Sequence, residues 1–194
     1  MSQALFPGWR PDPDGRGQLA ALAGRLAAAC PPTAASFKLR RPDQWHLTLC
    51  FIGHVGAGPA TPKLHDALAA AARLIPPHAF TIRKITYWDG SGAVVALPHD
   101  CPALQALCDA TRDAIRRCGI RPEKVATQPH VTLAYLDRHM PVQPWLDEID
   151  CRTEALRVDG FELLFNPGGR YEPLGEWALA GTGLPRVPQQ GGLF

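Results

Sequence analysis

A four-residue pattern, His-x-Thr-x with apolar residues at the second and fourth places, occurs twice in this chain of 194 residues. The copies are His46–Leu49 (HLTL) and His130–Leu133 (HVTL). Because successive side chains of a β-strand point to opposite faces, each copy predicts a strand with an imidazole and a hydroxyl on one face and apolar groups on the other. Random placement of the seven His and ten Thr gives about 0.08 such segments, so a chance pair has a probability of about three in a thousand.

Two such strands lining one cleft supply a proton donor, a proton acceptor and two hydroxyl hydrogen-bond donors. These groups suit phosphoester chemistry without a metal, because imidazole gains and loses protons near neutral pH. No carboxylate cluster accompanies the two motifs, so we predict neither a metal nor a cofactor. The alternative interpretation is structural: two histidines in half-buried strands, each satisfied by a neighbouring hydroxyl.

The rest of the chain repeats around the two motifs. Apolar periodicity and turn residues predict a helix, a motif strand, a second helix and a strand pair, followed by the same order again. The predicted segments are residues 17–29, 45–52, 62–74, 80–88 with 93–97, then 102–118, 130–136, 144–149, and 156–165 with 171–180. This order predicts an internal duplication about a pseudo-twofold axis, which makes residues 1–180 a single bilobal domain. Residues 181–194, rich in Pro, Gly and Gln, are predicted to be a flexible tail.

The overall charge does not indicate a nucleic-acid partner, since the net charge is only +2. Local charge is more informative, because basic residues precede both motifs: Lys38, Arg40 and Arg41 before the first, and Arg116, Arg117, Arg121 and Lys124 before the second. A cleft lined by basic residues from both stretches would attract a phosphodiester backbone. The alternative for each of these residues is ordinary solvated surface charge.

Cysteine usage and the opening residues indicate the compartment. The six cysteines form neither a CxxC pair nor a Cys-His set with zinc-finger spacing. Residues 1–15 contain Pro, Arg and Asp without an apolar run, and residues 20–30 are interrupted by Arg25 and are too short to span a bilayer. We therefore predict reduced thiols and a cytoplasmic protein that does not bind membranes.

Three segments resemble a known family. They are residues 42–53 (PDQWHLTLCFIG), 129–134 (PHVTLA) and 171–177 (YEPLGEW). In sequence and order they resemble the two-histidine phosphoesterase superfamily and, within it, the LigT/ThpR-type RNA 2',3'-cyclic phosphodiesterases. The resemblance extends over residues 5–180 or so.

The resemblance implies an α+β fold with two antiparallel sheets flanked by helices around a central cleft. It also implies that His46 is the proton donor and His130 the proton acceptor, whereas the residues alone are symmetric and do not choose between these roles. Thr48 and Thr132 would hold the non-bridging phosphate oxygens. The family product is a terminal 2'-phosphate.

Two features depart from the family pattern. Tyr135 stands where members often carry an Arg, three residues after the second motif Thr, and residues 7–11 (PGWRP) replace part of an apolar first strand. The candidate substrate contacts outside the motifs are Arg40 for phosphate, and Trp88 and Tyr135 for stacking on a base. The alternative for the two aromatic residues is packing at the rim of the core.

The leading functional prediction is therefore a monomeric RNA 2',3'-cyclic phosphodiesterase that acts on RNA ends. Its alternatives are a phosphodiesterase for small cyclic-phosphate nucleotides or 2'-5' oligonucleotides, and a 2'-5' RNA ligase that uses the same site in the reverse direction. A further alternative, of another class, is a non-catalytic module that binds RNA ends. Two intact His-Thr pairs argue against that last alternative, since binding alone does not require two imidazoles.

Overall fold

The computed structural model describes residues 3–123 and 128–182. Within them are ten strands, four α-helices and one short 3-10 turn, at Pro42–Gln44. The strands are β1 Ala4–Trp9, β2 Lys38–Leu39, β3 Leu47–Thr48, β4 His78–Phe80, β5 Ile82–Trp88, β6 Ala93–Pro98, β7 Val131–Tyr135, β8 Leu156–Val158, β9 Gly160–Asn166 and β10 Glu172–Ala178. The helices are α1 Pro13–Ala28, α2 Pro62–Ala72, α3 Pro102–Arg117 and α4 Gln143–Asp147.

Most predicted elements form close to their predicted positions. Helix α1 begins four residues before its predicted start, because Asp12 caps it by accepting a hydrogen bond from the Gly15 backbone N–H at 2.7 Å. Pro13 occupies the first turn, where a missing N–H costs nothing. The apolar stripe of this helix is buried as its spacing predicts.

The element order repeats, with a boundary in the turn after Trp88. The first unit is β1-α1-β3-α2-β4-β5 and the second is β6-α3-β7-α4-β8-β9, while β2 and β10 are additions. Some corresponding elements match in length, since α1 and α3 have 16 residues each and β5 and β9 have 7 each, whereas α2 has 11 residues and α4 only 5. The strand pair predicted within the first unit is thus the hairpin β5–β6, which joins the two units.

The fold class is α+β with two antiparallel sheets, as predicted, although the sheets differ greatly in size. The large sheet has the order β10-β9-β1-β3-β7-β6-β5, with β2 also paired to β7. The small sheet is β4 paired with β8, which are corresponding strands of the two units. Both motif strands therefore lie side by side at the centre of the large sheet, and Leu47 pairs with Val131.

The two faces of the large sheet have different roles. On one face the motif residues Leu47, Leu49, Val131 and Leu133 join the main core, together with residues from all four helices. The other face carries the half-buried motif side chains and two small apolar clusters. One cluster is Ala4, Phe6 and Leu164, and the other is Ala93, Val95 and Leu97. The main core thus packs against the face opposite the motif His and Thr side chains and leaves the motif face uncovered.

Strand β1 forms despite its Pro-Gly sequence, and all six of its residues are buried. Pro7 lacks an N–H, but its carbonyl accepts a hydrogen bond from the Leu49 N–H at 2.9 Å, so only one ladder bond is lost. The regular part of β3 is correspondingly short, and the chain rejoins β1 at Gly53, whose carbonyl accepts from the Leu5 N–H at 3.0 Å. The departure at residues 7–11 therefore preserves the first strand.

Two findings bear on the compartment predictions. All six cysteines lie in the described part of the chain and have free thiols. In that same part, no helix has both the length and the apolar character needed to cross a lipid bilayer. The predicted tail, from residue 183 onward, lies outside the described residues.

Candidate active site

The four motif side chains lie on the open face of the sheet. His46, Thr48, His130 and Thr132 are half-buried, whereas the residues between and after them are buried, which is the alternation predicted for both segments. Trp45 lies in the core, as predicted. Because Leu47 pairs with Val131 in an antiparallel register, His46 lies across from Thr132 and Thr48 across from His130. Side chains so placed have Cβ atoms about 4.5–5.5 Å apart, so each imidazole has a hydroxyl neighbour on the opposite strand.

Both imidazoles are oriented by the same contact. The Nδ1 atom of His46 lies 2.9 Å from the Gln44 carbonyl oxygen, and Nδ1 of His130 lies 3.0 Å from the Gln128 carbonyl oxygen. A carbonyl oxygen only accepts, so each Nδ1 carries the hydrogen and donates it. In each neutral ring the Nε2 atom is therefore the unprotonated nitrogen, available to accept a proton.

The electrostatic settings of the two imidazoles differ. Burial lowers the pKa of both, because it disfavours the charged form. For His46 the hydrogen bond to Gln44 opposes this effect, and the positive charges of Arg40, of protonated His130 and of Arg10 add to it. Burial, the largest cause, together with these charges lowers the pKa of His46 from 6.5 to about 4. Symmetry of the motifs therefore does not extend to their surroundings.

Aromatic rings from other parts of the chain pack against each histidine. The ring centroids of Phe6 and Tyr171 lie 5.0 Å and 4.7 Å from that of His46. On the other side, the Trp88 centroid lies 4.2 Å from that of His130. Gly8 allows this packing, since a Cβ atom there would lie 3.3 Å from Cε2 of Phe6 and 3.2 Å from the Leu47 carbonyl oxygen. Each imidazole is thus held by a ring as well as by its backbone hydrogen bond.

Two arginines stand on the His46 side of the face. Both Nε and Nη2 of Arg10 donate to the carboxylate of Glu162, with the Nη2–Oε1 distance 2.6 Å. The Nη2 atom of Arg40 donates to the Tyr171 hydroxyl oxygen at 2.9 Å, and its guanidinium carbon lies 5.6 Å from the centre of the Tyr135 ring. One guanidinium is therefore paired with a carboxylate and the other with aromatic residues.

The structure gathers the predicted contact residues Arg40, Tyr135 and Trp88 around the motif pair. Three of the other basic residues make different contacts: Arg41 pairs with Asp43, and Arg116 and Arg121 line a cavity of about 450 Å³ together with Gly119, Ile120, Pro122 and Glu123. Lys124 lies outside the described residues.

Three residues of the site were not predicted from the sequence: Phe6, Arg10 and Tyr171. Phe6 lies in β1, and Arg10 and Tyr171 lie directly next to the ends of β1 and β10, so the pairing of distant strands brings all three to the motif face. Arg10, for example, contacts Glu162 across 152 residues. No local spacing signals such contacts. The segment YEPLGEW, part of the family resemblance, was the available signal for Tyr171, although it does not reveal the contact with His46.

The described side chains of the motif face include no set of metal ligands. Among residues 3–123 and 128–182, no three His, Cys, Asp or Glu side chains are grouped so as to hold a metal ion. The polar groups that converge on the motif face are imidazoles, hydroxyls and guanidinium groups, which suit an anionic ligand such as a phosphate.

Comparisons with known proteins identify the family of the chain. The family model for the 2'-5' RNA ligase superfamily matches residues 11–169. E. coli LigT in complex with NADP+ is 26% identical, with a TM-score of 0.66 over 92% of this chain and 98% of LigT. A phosphoesterase structure is 25% identical, with a TM-score of 0.69 over 91% of this chain and 98% of its own.

The protein TT0787 of Thermus thermophilus, at 21% identity, shares the fold, with a TM-score of 0.72 over 93% of this chain and all of its own. A comparison with curated proteins finds no match. Because the family model covers most of the chain, including both His-x-Thr-x strands, the chain belongs to the 2'-5' RNA ligase superfamily of two-histidine phosphoesterases.

Proposed function

We propose that the motif face hydrolyses a 2',3'-cyclic phosphate at the end of an RNA chain to a terminal 2'-phosphate. The observation that carries the proposal is the antiparallel register of the two motifs, which sets one imidazole on each side of a shared centre. A phosphorus atom bound at that centre has a proton acceptor on one side and a proton donor on the other. In-line displacement needs this arrangement.

The reaction uses the two imidazoles in turn. His130 Nε2 takes a proton from a water molecule as the water oxygen bonds to phosphorus. The bond between phosphorus and O3' breaks, and protonated His46 gives its Nε2 proton to O3'. The products are a 2'-phosphate and a 3'-hydroxyl, and proton exchange with solvent restores the starting protonation states. Thr48 and Thr132 hydrogen-bond the non-bridging oxygens, whose charge must be held during the reaction.

Because the pKa of His46 is low, this residue can act as proton donor only if the substrate raises its pKa. In the free protein His46 is neutral at pH 7, since its pKa is about 4. A bound phosphodiester brings a negative charge next to the ring, and an adjacent opposite charge raises the pKa of an imidazole. Substrate binding thus favours the charged form of the proton donor, which links acid catalysis to phosphate binding.

The surroundings of the motif pair suit a nucleotide. E. coli LigT has been crystallised with 3'-AMP, a nucleotide that carries a phosphate on its ribose. In this chain Trp88, which is partly buried beside His130, and Tyr135, which is 40% exposed, offer aromatic surface for a base. Stacking on such rings tolerates any base, so we expect little sequence preference.

A second candidate function is 2'-5' RNA ligation, which the family name favours. In this direction a 5'-hydroxyl takes the place of water and attacks the cyclic phosphate, and the same histidines exchange protons. Small cyclic-phosphate nucleotides are an alternative substrate for hydrolysis.

One experiment tests these functions together. Purified protein is incubated with an oligoribonucleotide that ends in a 2',3'-cyclic phosphate, with and without a second RNA that carries a 5'-hydroxyl. A 2'-phosphate product supports hydrolysis, and a 2'-5' linked product supports ligation. Equal turnover of a cyclic mononucleotide would assign the activity to small nucleotides. Tight binding without turnover would leave a module that only binds RNA ends and would refute the proposed enzyme.

A further inference from the structure

The two arginines near His46 differ in whether their charge is neutralised. Arg10 and Glu162 form a two-point ion pair, and their side chains are 29% and 16% exposed. Such a pair offers little net charge to a ligand. Arg40, in contrast, forms no ion pair with any carboxylate in the described part of the chain. The site therefore contains one compensated and one uncompensated guanidinium.

Arg40 is held in place without losing its charge. Its backbone N–H donates to the Leu133 carbonyl at 2.8 Å, which ties the residue to the second motif strand. Its side chain is fixed by the Tyr171 hydroxyl and lies over the face of Tyr135, an arrangement that attracts a cation without neutralising it. Burial raises the pKa of Tyr171, so this residue is a neutral phenol and not a counter-ion.

The Arg40 side chain also keeps an unused donor. Its Nε atom is buried and has no hydrogen-bond partner among the described residues. A buried donor left without a partner is costly, and proteins keep such groups mainly where a ligand or a bound water completes them. A half-buried, uncompensated cation beside an imidazole is thus a feature that an anion would stabilise.

We propose that Arg40 binds the phosphate of the substrate on the His46 side and stabilises its charge during the reaction, and that Tyr171 is the positioning residue for Arg40. This inference rests on the proposed function for the identity of the phosphate. Arg40 would add a positively charged group to the two neutral hydroxyls that bind the phosphate, and it lies in the segment before the first motif. The positive charge of Arg40 lowers the pKa of His46, whereas the negative charge of a bound phosphate raises it. Phosphate binding and protonation of His46 are therefore coupled.

The test compares Arg40→Met, Arg40→Lys and Tyr171→Phe, with Arg73→Met as the control. Arg73 is an exposed residue at the C-terminal end of α2, so its replacement removes the same charge away from the motif face. The probe is inorganic phosphate, measured by isothermal titration calorimetry at pH 7. We expect about 10–100-fold weaker phosphate binding for Arg40→Met, as for the loss of hydrogen bonds to a charged group.

The other variants separate charge from geometry. Arg40→Lys should recover part of the affinity, because an ammonium keeps the charge but not the planar fork. Tyr171→Phe keeps the ring against His46 and removes only the hydroxyl, so we expect phosphate binding about 2–10-fold weaker. Arg73→Met should bind phosphate like the wild type. Circular dichroism establishes that each variant is folded.

Two further readouts exclude a purely structural role. Proton NMR titration of the imidazole should show a higher pKa for His46 in Arg40→Met than in the wild type or Arg40→Lys, because a repelling charge has gone. With the cyclic-phosphate substrate, kcat/KM of Arg40→Met should fall about 100-fold, as for removal of an oxyanion-binding group.

The outcomes separate this inference from the proposed function. Wild-type phosphate binding and kcat/KM in a folded Arg40→Met protein would overturn the inference, even if His46→Ala and His130→Ala confirm the phosphodiesterase. Phosphate binding that depends on Arg40, in a protein without cyclic phosphodiesterase activity, would retain the anion site and overturn the proposed function.

Discussion

His46 should make the folded protein sensitive to acid, and the size of this effect follows from its setting. Its pKa is about 4 in the folded chain, against 6.5 for an unperturbed imidazole. A group whose pKa is lowered by folding takes up protons in the unfolded state first. The stability associated with neutral His46 is thus fully present above pH 6.5 and is lost as the pH falls towards 4. A difference of about 2.5 pKa units at 1.36 kcal/mol each corresponds to a total of about 3 kcal/mol.

The measurement is urea unfolding at a series of pH values from 7.5 to 4, for the wild type and His46→Gln. Glutamine does not titrate, so the variant should lose about 3 kcal/mol less of its free energy of unfolding over this range. Thr48→Ala alters the same face without removing a titratable group, and its pH dependence should parallel that of the wild type. Parallel curves for His46→Gln and the wild type would refute the argument that burial and nearby cations keep His46 neutral.

Other predictions concern catalysis. His46→Ala and His130→Ala should each lower kcat about 10²–10⁴-fold in folded protein, and near wild-type rates in either would refute the acid-base assignment. A substrate with an activated leaving group should rescue His46→Ala but not His130→Ala, whereas the reverse pattern would exchange the two roles. Activity should survive excess EDTA, since the proposed steps use only side chains, and loss restored by a divalent ion would contradict them. The pH profile of kcat/KM should be bell-shaped with its maximum below pH 6.5, because both imidazoles have lowered pKa values, and a monotonic profile would argue against the pair. Gly8→Val should displace the Phe6 ring from His46 and lower kcat while leaving a folded protein, as judged by circular dichroism; unchanged kcat would show that this ring contact is dispensable.

Local pattern was sufficient for most of the fold. The alternation in HLTL and HVTL predicted which side chains face the core, and apolar periodicity predicted all four helices within a few residues of their ends. These signals are local, because side-chain direction depends on the strand and helix repeats alone. Strand β1 lacked such a signal, since its Pro-Gly pair is unusual in a buried strand and its pairing with β3 and β9 is decided by distant residues.

Residue types and their repetition thus determined the chemistry that this chain offers: two imidazoles, two hydroxyls and a duplicated α+β order. The assignment of His46 and His130 to donor and acceptor remains a prediction, as do the cytoplasmic location and the monomeric state. Only the tertiary structure decided what surrounds each motif. Tyr171 and Arg40 meet across 131 residues beside His46, whereas Trp88 packs on His130. The reason is physical: the two motifs carry the same His and Thr side chains, with the same intrinsic properties. A pKa and a phosphate contact, however, depend on burial and on charges within a few ångströms, which strand pairing brings together.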